Sequence, residues 1–210
     1  MLACSDHESR MTSREVVNEF SKRHRMPDFR YDLKPGLLPM EQIELLNTCG
    51  ATIIVVIAGS EDSAQWIKKI RANLPSVQIF GSHTCGRSSF LQLAGREAEE
   101  VRFPDVWQPD PHNSQTVNFL KRFEAAHGRL PDYAEACVYD AASLLTQALC
   151  KAGPSRIRVR EMLHQLSPWH GVSGTVEFDG TGQNRVSNIK MSIIKNGAIL
   201  PYNIPTSKKS

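Results

Sequence analysis

The 210-residue sequence has no long hydrophobic run and no strong excess of charge. No stretch approaches the roughly 20 consecutive apolar residues of a membrane-spanning helix. The formal net charge is +3, and no basic run is interleaved with aromatic residues, so the sequence predicts no nucleic-acid partner. With 40% hydrophobic residues, the chain can bury a core, which places it among ordinary globular proteins.

The N-terminal residues have no hydrophobic segment ahead of the first cysteine. Met1-Leu-Ala-Cys4 looks like a lipoprotein cleavage box, but a secretory signal needs an apolar stretch of about 7–15 residues before its cleavage site. We therefore expect no signal peptide in this chain. The apolar start predicts instead a buried strand that begins at once, followed by a loop over Ser5 to Ser9.

The five cysteines are an odd number and none forms a C-x-x-C pair, so neither a disulfide framework nor a zinc site is predicted. One alternative is kept open, because His83 and Cys85 flank Thr84 in a polar loop and both side chains can bind a metal. The main prediction is that the chain binds no metal.

Several catalytic motifs are also missing. The sequence contains no G-x-S-x-G elbow, no phosphate-binding G-x-x-x-x-G-K-[ST] loop and no H-E-x-x-H pair. Gly180-Thr-Gly182 looks like part of a dinucleotide loop, but it follows a strand pattern, opens no helix and lacks the third glycine. We therefore predict a hairpin turn there, no cofactor and no enzymatic activity.

The first half of the chain alternates helix and strand patterns. A helix capped by Thr12 or Ser13 is followed by a short strand over Phe29 to Leu33. Thr52 to Ile57 is apolar and β-branched throughout, which predicts a central strand covered on both faces. This alternation indicates an α/β fold with a doubly wound, mostly parallel sheet.

The second half begins with proline and continues as helix. Three prolines between Pro104 and Pro111 interrupt any regular element, so this segment is predicted to cross between two lobes. Phe119 to Ala126 and Tyr139 to Leu149 then carry apolar stripes at helical spacing.

The end of the chain has a strand, turn and strand pattern. Thr175 to Phe178 alternates apolar and polar residues, and Ile189 to Ile194 is apolar and β-branched. Asp179 to Asn184 lies between them and contains residues that tolerate positive φ. We therefore predict a hairpin of these two strands.

Eight short motifs in this half occur in a family-specific order. They are Phe119 to Ala126, Gly128-Arg129-Leu130-Pro131, Tyr139-Asp140-Ala141, Lys151-Ala152-Gly153, Val159 to Leu166, Gly171-Val172-Ser173-Gly174, Phe178-Asp179 and Lys195-Asn196-Gly197. Together they resemble the end of a periplasmic solute-binding protein of the leucine/isoleucine/valine-binding family, the type I receptors of ABC transporters.

The resemblance implies a two-lobed fold, of which this chain carries only part. Residues 1–104 and 186–200 correspond to the second lobe, 105–185 to the helical returning part of the first lobe, and 201–210 to a flexible tail. Most of the first lobe is then missing. We expect self-association through the apolar surface that this lobe would cover, including parts of Phe119 to Phe123 and Tyr139 to Leu149.

The resemblance also implies a function. The chain is expected to be a periplasmic or extracellular solute-binding component that captures an amino acid, an amide or a small carboxylate and presents it to an ABC permease. The alternative is a sensory or regulatory domain of the same fold, such as an amide or amino-acid sensor. Neighbouring permease and ATPase genes, or neighbouring regulator genes, separate the two interpretations.

Three loops are candidates for the ligand site, because ligands of open α/β sheets bind beyond the carboxyl ends of the strands. Ser9, Ser60 and His83 lie at or near the positions where the family holds its ligand with two tyrosines and a glutamate. Ser82 and Thr84 flank His83. None keeps the family's residue type, so we expect the imidazole and the hydroxyls to donate to a carboxylate or amide oxygen.

Some candidates have a structural alternative. Ser60 with Glu61 also suits the N-cap of the following helix, and His83 suits a solvated polar loop. Tyr133 falls where the family's first lobe brings an aromatic residue to the cleft, but a tyrosine on a helix commonly packs in the core with its hydroxyl at the rim.

Overall fold

The computed structural model describes residues 1–186 and 189–203. The chain divides into two compact units, Met1–Asp105 with Lys190–Ser210, and Val106–Ile189. Most of the predicted flexible tail, from residue 204 onward, lies outside the described residues. The assignment of the two units to the lobes of the family stays a prediction.

The elements are numbered in chain order. The strands are β1 (Leu2–Cys4), β2 (Tyr31–Leu33), β3 (Ile53–Ile57), β4 (Gln78–Gly81), β5 (Arg102–Asp105), β6 (Trp169–His170), β7 (Thr175–Val176), β8 (Lys190–Lys195) and β9 (Ala198–Pro201). The α-helices are α1 (His7–Lys22), α2 (Met40–Thr48), α3 (Ser60–Asn73), α4 (Ser88–Ala94), α5 (Ser114–His127), α6 (Tyr133–Ala152) and α7 (Arg156–Gln165). None of these helices is long and apolar enough to cross a membrane.

The first unit is built on a seven-stranded sheet in the order β2-β1-β3-β4-β5-β8-β9. Strands β1 to β5 pair in parallel, and β8 and β9 are added antiparallel at the edge beyond β5. Helices connect the parallel strands, as the alternating sequence pattern requires. The predicted α/β fold with a mostly parallel, doubly wound sheet is confirmed.

One face of this sheet carries the main core. Ile54 and Val56 of β3 lie in one buried cluster with Ile43 of α2, Ile67 of α3 and Phe90 of α4. Because alternate residues of a strand point to opposite faces, the β-branched run supplies this cluster with every second side chain. The helices α2, α3 and α4 therefore cover the same face.

The opposite face is covered less completely. Val16 and Val17 of α1 pack against buried Ala3 and Ile57. Ile53, at the start of β3, is 55% exposed. The prediction that both faces of this strand are covered is therefore wrong at its amino end, because α1 protects only the carboxyl end.

Helix α1 begins at His7, well before the predicted caps, Thr12 or Ser13. Its N-cap is Asp6, whose side chain accepts a hydrogen bond from the backbone N–H of Ser9, while Ser13 is buried in the middle of the helix. The residues from His7 to Arg10 are all polar, so the apolar period that marks a helix starts too late in the sequence. The predicted loop over Ser5 to Ser9 is consequently only Ser5 and Asp6.

The second unit consists of α5, α6, α7 and a small two-stranded sheet of β6 and β7. Its buried cluster contains Trp107, Phe119, Ala136 and Val172. Helix α6 begins with a capping box in which Asp132 and Glu135 satisfy each other's backbone N–H groups, which explains its sharp start.

The hairpin predicted near the end of the chain is wrong. Strand β7 pairs with β6, whereas β8 pairs with β5 and β9. The turn itself is present, since the Asp179 side chain accepts hydrogen bonds from the backbone of Thr181 and Gln183 and Phe178 bridges to Asn184. The chain that follows this turn thus pairs with the preceding strand over only a few residues, and the apolar β8 belongs to the seven-stranded sheet.

Candidate functional site

A pocket of about 240 Å³ lies at the edge of the sheet where β1, β3 and β4 end. Its lining comes from the start of α1, the residues after β2, β3 and β4, and the first turn of α3. The lining residues are Asp6, Glu8, Ser9, Thr12, Pro35, Ile57, Ala58, Gly59, Asp62, Ser82, His83 and Thr84. Parallel strands bring these loops together because all their carboxyl ends meet at one edge.

Four of the six predicted site residues line this pocket, namely Ser9, Ser82, His83 and Thr84. Ser60 does not line it; its hydroxyl accepts a hydrogen bond from Ser89 at 3.1 Å. Tyr133 belongs to the second unit, where it packs, partly buried, against the cluster around Trp107. The ligand roles of these six residues stay a prediction.

The predicted N-cap role of Ser60 is wrong. The N-cap of α3 is Gly59, which offers no side chain, and Ser60 is the first residue of the helix. Gly59 lines the pocket, and Glu61 and Asp62 place two carboxylates in the first turn of α3. Carboxylates there are stabilised by the positive end of the helix dipole.

The hydroxyls of Ser82 and Thr84 form a chain that ends on the carbonyl oxygen of Ala58. Thr84 Oγ1 lies 2.7 Å from that oxygen, and Ser82 Oγ lies 2.7 Å from Thr84 Oγ1. Ser63 Oγ donates to the same carbonyl at 3.1 Å. Each hydroxyl has one proton, so in this arrangement both pocket hydroxyls present lone pairs to a ligand. The expectation that they donate to a ligand oxygen stays a prediction.

Carboxylates add further acceptors to the pocket. Glu8 Oε1 lies 3.3 Å from His83 Nε2, and the Glu8 side chain is 72% exposed, so most of it faces solvent. Asp62 is held in place from two sides, by the backbone N–H of Gly36 at 2.7 Å and by the thiol of Cys4 at 3.8 Å. The pocket therefore contains several acceptors and the imidazole of His83, which can donate.

The ionisation of the residues below the pocket follows from burial and hydrogen bonding. Burial and a hydrogen bond to Asp6 raise the pKa of the Cys4 thiol to about 11. Desolvation alone would raise the pKa of Asp6, but hydrogen bonds from Ser9 and Cys4 outweigh it and hold that pKa below its ordinary value. Near neutral pH a neutral Cys4 thiol therefore lies beside the ionised carboxylate of Asp6, which lines the pocket.

Asp6, Glu8 and Asp62 line the pocket but are not among the site residues predicted from the sequence. Asp6 and Glu8 fall in the predicted loop over Ser5 to Ser9, of which Ser9 is the candidate ligand residue. The pattern Asp-x-x-Ser, with a glutamate between them, is an N-cap signal that could have located both. Asp62 lies on α3, several residues after the end of β3. A rule that selects only the loops that follow strands therefore does not select it.

His83 and Cys85, the pair kept open as a metal site, are placed differently. Cys85 is fully buried, and burial raises the pKa of its thiol, whereas His83 lines the pocket. Among the described residues, no group of three His, Cys, Asp or Glu side chains is arranged to hold a metal ion.

Solved structures show where this fold occurs. The leucine-binding protein LivK of Thermotoga maritima is 19% identical with a TM-score of 0.85, and the match covers 96% of this chain and 59% of that one. The substrate-binding protein LivJ of Streptococcus pneumoniae, solved with isoleucine, is 18% identical with a TM-score of 0.79 and coverages of 94% and 57%. A solute-binding protein of R. palustris, solved with benzoate, is 14% identical with a TM-score of 0.83 and coverages of 95% and 56%.

These similarities establish the fold and also a difference in length. The chain spans less than two thirds of each of these three proteins. A search of curated proteins found no significant match. A family model described as periplasmic binding protein matches residues 41–198, which is most of the sequence. The chain therefore belongs to the periplasmic binding protein family.

Proposed function

We propose that the chain binds a small polar ligand at the pocket formed by Ser9, Ser82, His83 and Thr84, as part of the solute-binding receptor of an ABC importer. The observation that carries this proposal is the clustering of these side chains at the carboxyl edge of a parallel sheet, the edge at which open α/β folds bind ligands. Membership of the periplasmic binding protein family supports a periplasmic or extracellular location and a permease partner.

The chemistry of the pocket favours a ligand with N–H groups. The protons of Ser82 and Thr84 are used within the protein, and Glu8 carries a carboxylate, so these groups accept hydrogen bonds from an ammonium or an amide. His83 can donate to the ligand's carboxylate or carbonyl oxygen. Of the three ligand classes predicted from the sequence, amino acids and amides match this pattern, whereas a simple carboxylate has no N–H to offer.

The length of the chain limits how tightly it binds. A pocket of about 240 Å³ on one sheet edge can enclose only part of a ligand, and the chain spans 59% of the T. maritima protein. Two-lobed binders bury most of the ligand surface. Losing about 4 kcal/mol of contacts weakens binding roughly a thousandfold. We infer that the complete site needs the first-lobe residues that this chain does not span.

A thermal-shift screen tests the proposed ligand class. Amino acids, amides and small carboxylates are tested on an upstream-extended protein with a complete first lobe, and on its Glu8→Gln variant. Amino acids or amides are expected to raise the melting temperature of the parent protein, and less so that of the variant. Stabilisation by carboxylates alone, unchanged in Glu8→Gln, would contradict the proposed chemistry.

A further inference from the structure

A larger cavity, of about 680 Å³, lies at the other edge of the same sheet. Its walls are the end of α1, the segment from Arg25 to Phe29 and the turn between α2 and β3. Ile53 and Val55 of β3 form part of its floor. It shares no lining residue with the smaller pocket, and its volume is within the range of about 300–1,000 Å³ typical of small-molecule sites.

The walls of this cavity are unusually apolar for an accessible surface. Four of its large side chains are 37–63% exposed, namely Phe20, Met26, Phe29 and Ile53. A single exposed apolar residue needs no explanation, but several that line one concave surface mark a binding site. An apolar ligand body would remove these side chains from water.

The charged groups of the cavity are mostly positive. Arg23 and Arg25 both line it, and Arg23 also interacts electrostatically with Glu19, an exposed residue of α1 outside the lining. The lining contains one carboxylate, Asp28. Two guanidiniums and one carboxylate give the lining a net positive charge, which favours an anion.

We propose that this cavity binds a small amphiphilic anion, with its apolar body on Phe20, Met26 and Ile53 and its carboxylate or sulfonate on Arg23 and Arg25. A guanidinium pairs with such groups through two parallel N–H donors, which gives both affinity and orientation. The site is separate from the proposed solute pocket, because the two lie at opposite ends of β3.

A cysteine in the lining reports on occupancy. Cys49 is exposed and lines the cavity, whereas Cys150 is exposed on α6 in the second unit. The 210-residue chain is labelled with iodoacetamide, and the rate at each cysteine is followed by mass spectrometry with octanoate or neutral octanamide present. At octanoate concentrations of about four times its Kd, mass action slows labelling of Cys49 about fivefold. Cys150 keeps its rate, and octanamide protects Cys49 less.

Variants test the two parts of the site, the arginines that bind the anionic group and the apolar surface that binds the ligand body. Arg23→Gln with Arg25→Gln is expected to raise the Kd for octanoate about tenfold, since charge-assisted contacts are lost. The control variant, Arg10→Gln with Arg14→Gln, loses the same amount of charge from two residues of α1 that do not line the cavity. It should leave the Kd for octanoate unchanged. Ile53→Ser should weaken octanoate binding as well. Equal protection of Cys49 and Cys150, equal protection by octanamide, or an unchanged Kd in the first double variant would overturn the proposal.

Discussion

Asp140 and Ser173 join two of the family motifs of the second unit. One carboxylate oxygen of Asp140 accepts hydrogen bonds from the backbone N–H of Ser173 at 2.6 Å and from its hydroxyl at 2.5 Å. The other oxygen accepts from the backbone N–H of Val172 at 2.9 Å. Asp140 is buried, so these hydrogen bonds hold the Gly-Val-Ser-Gly segment onto α6.

Replacing Asp140 should therefore destabilise the second unit. In Asp140→Ala, two backbone N–H groups lose their acceptor in a buried environment, and we expect a loss of about 2–4 kcal/mol in the free energy of unfolding. Ser173→Ala removes only the hydroxyl donor and should cost about 1 kcal/mol. Urea unfolding compares the two variants. A loss below about 0.5 kcal/mol in Asp140→Ala would show that water replaces the carboxylate at no cost.

Gly171 is required by the same contact. A Cβ at this position would lie 2.3 Å from Asp140 Oδ2 and 2.3 Å from the ring of Trp169, while a Cβ at Gly180 would meet nothing within 4 Å. We expect Gly171→Ala to cost about 1–3 kcal/mol through overpacking, and Gly180→Ala to be close to neutral. Thermal unfolding of both variants is the measurement. Equal melting temperatures for the two would contradict the packing described for Asp140.

The N-cap of α1 should make stability depend on acid pH. The pKa of Asp6 is lower in the folded protein than in the unfolded chain, so its contribution is fully present above the unfolded pKa of about 3.9. That contribution is lost as pH falls through the folded pKa. Asn caps a helix as well as Asp does, so Asp6→Asn removes mainly the charge.

The stability difference between the parent chain and Asp6→Asn should then be about 0.5–1 kcal/mol near neutral pH. It should shrink between about pH 4 and pH 2. Urea unfolding across this range measures the difference. A difference that stays constant or grows on acidification would mean that the charge of Asp6 does not stabilise the helix.

The exposed apolar face of α6 predicts self-association. The buried residues of this helix lie on one face and are Ala136, Asp140, Leu144 and Ala148. Its other apolar side chains are therefore accessible. Val138, Leu145 and Leu149 are 68%, 46% and 41% exposed. Phe119, by contrast, is buried within the second unit, so it does not contribute to this surface.

Analytical ultracentrifugation tests this prediction. The chain should form dimers or larger species at high concentration, because contiguous apolar faces commonly mark interfaces. Leu145→Lys with Leu149→Lys should shift the population to monomer, and Gln147→Lys on the same helix should not. A compact monomer at every concentration would rule out this surface as an interface.

Sequence patterns predicted the sheet because short strand patterns alternate with helical stripes along the first half of the chain, and the β-branched run from Thr52 to Ile57 is the clearest of these strands. They did not give the pairing of the last strands, because β8 pairs with β5, which lies far away in sequence. Thr175 to Phe178 has a strand pattern, but its partner is decided by the fold of the second unit, where only two residues pair with Trp169 and His170. Local patterning cannot determine such a short pairing.

The candidate site was predictable in its position but not in its chemistry. The rule for parallel sheets selected the loop of Ser82, His83 and Thr84, and all three line the pocket. The direction of their hydrogen bonds was not predictable, because it depends on the Ala58 carbonyl, which is more than 20 residues away in sequence. The position of Glu8 was not predictable for a similar reason, since its contact, His83, is far away in sequence.

Calorimetric titration tests the central claim, that the pocket around His83 holds the ligand, most directly. The best ligand from the thermal-shift screen is titrated into the 210-residue chain, the upstream-extended protein and the extended His83→Ala variant. We expect weak or undetectable binding by the chain, micromolar binding by the extended protein, and about tenfold weaker binding in the variant, which loses one charge-assisted hydrogen bond. Micromolar binding by the 210-residue chain alone, or unchanged affinity in the His83→Ala variant, would contradict it.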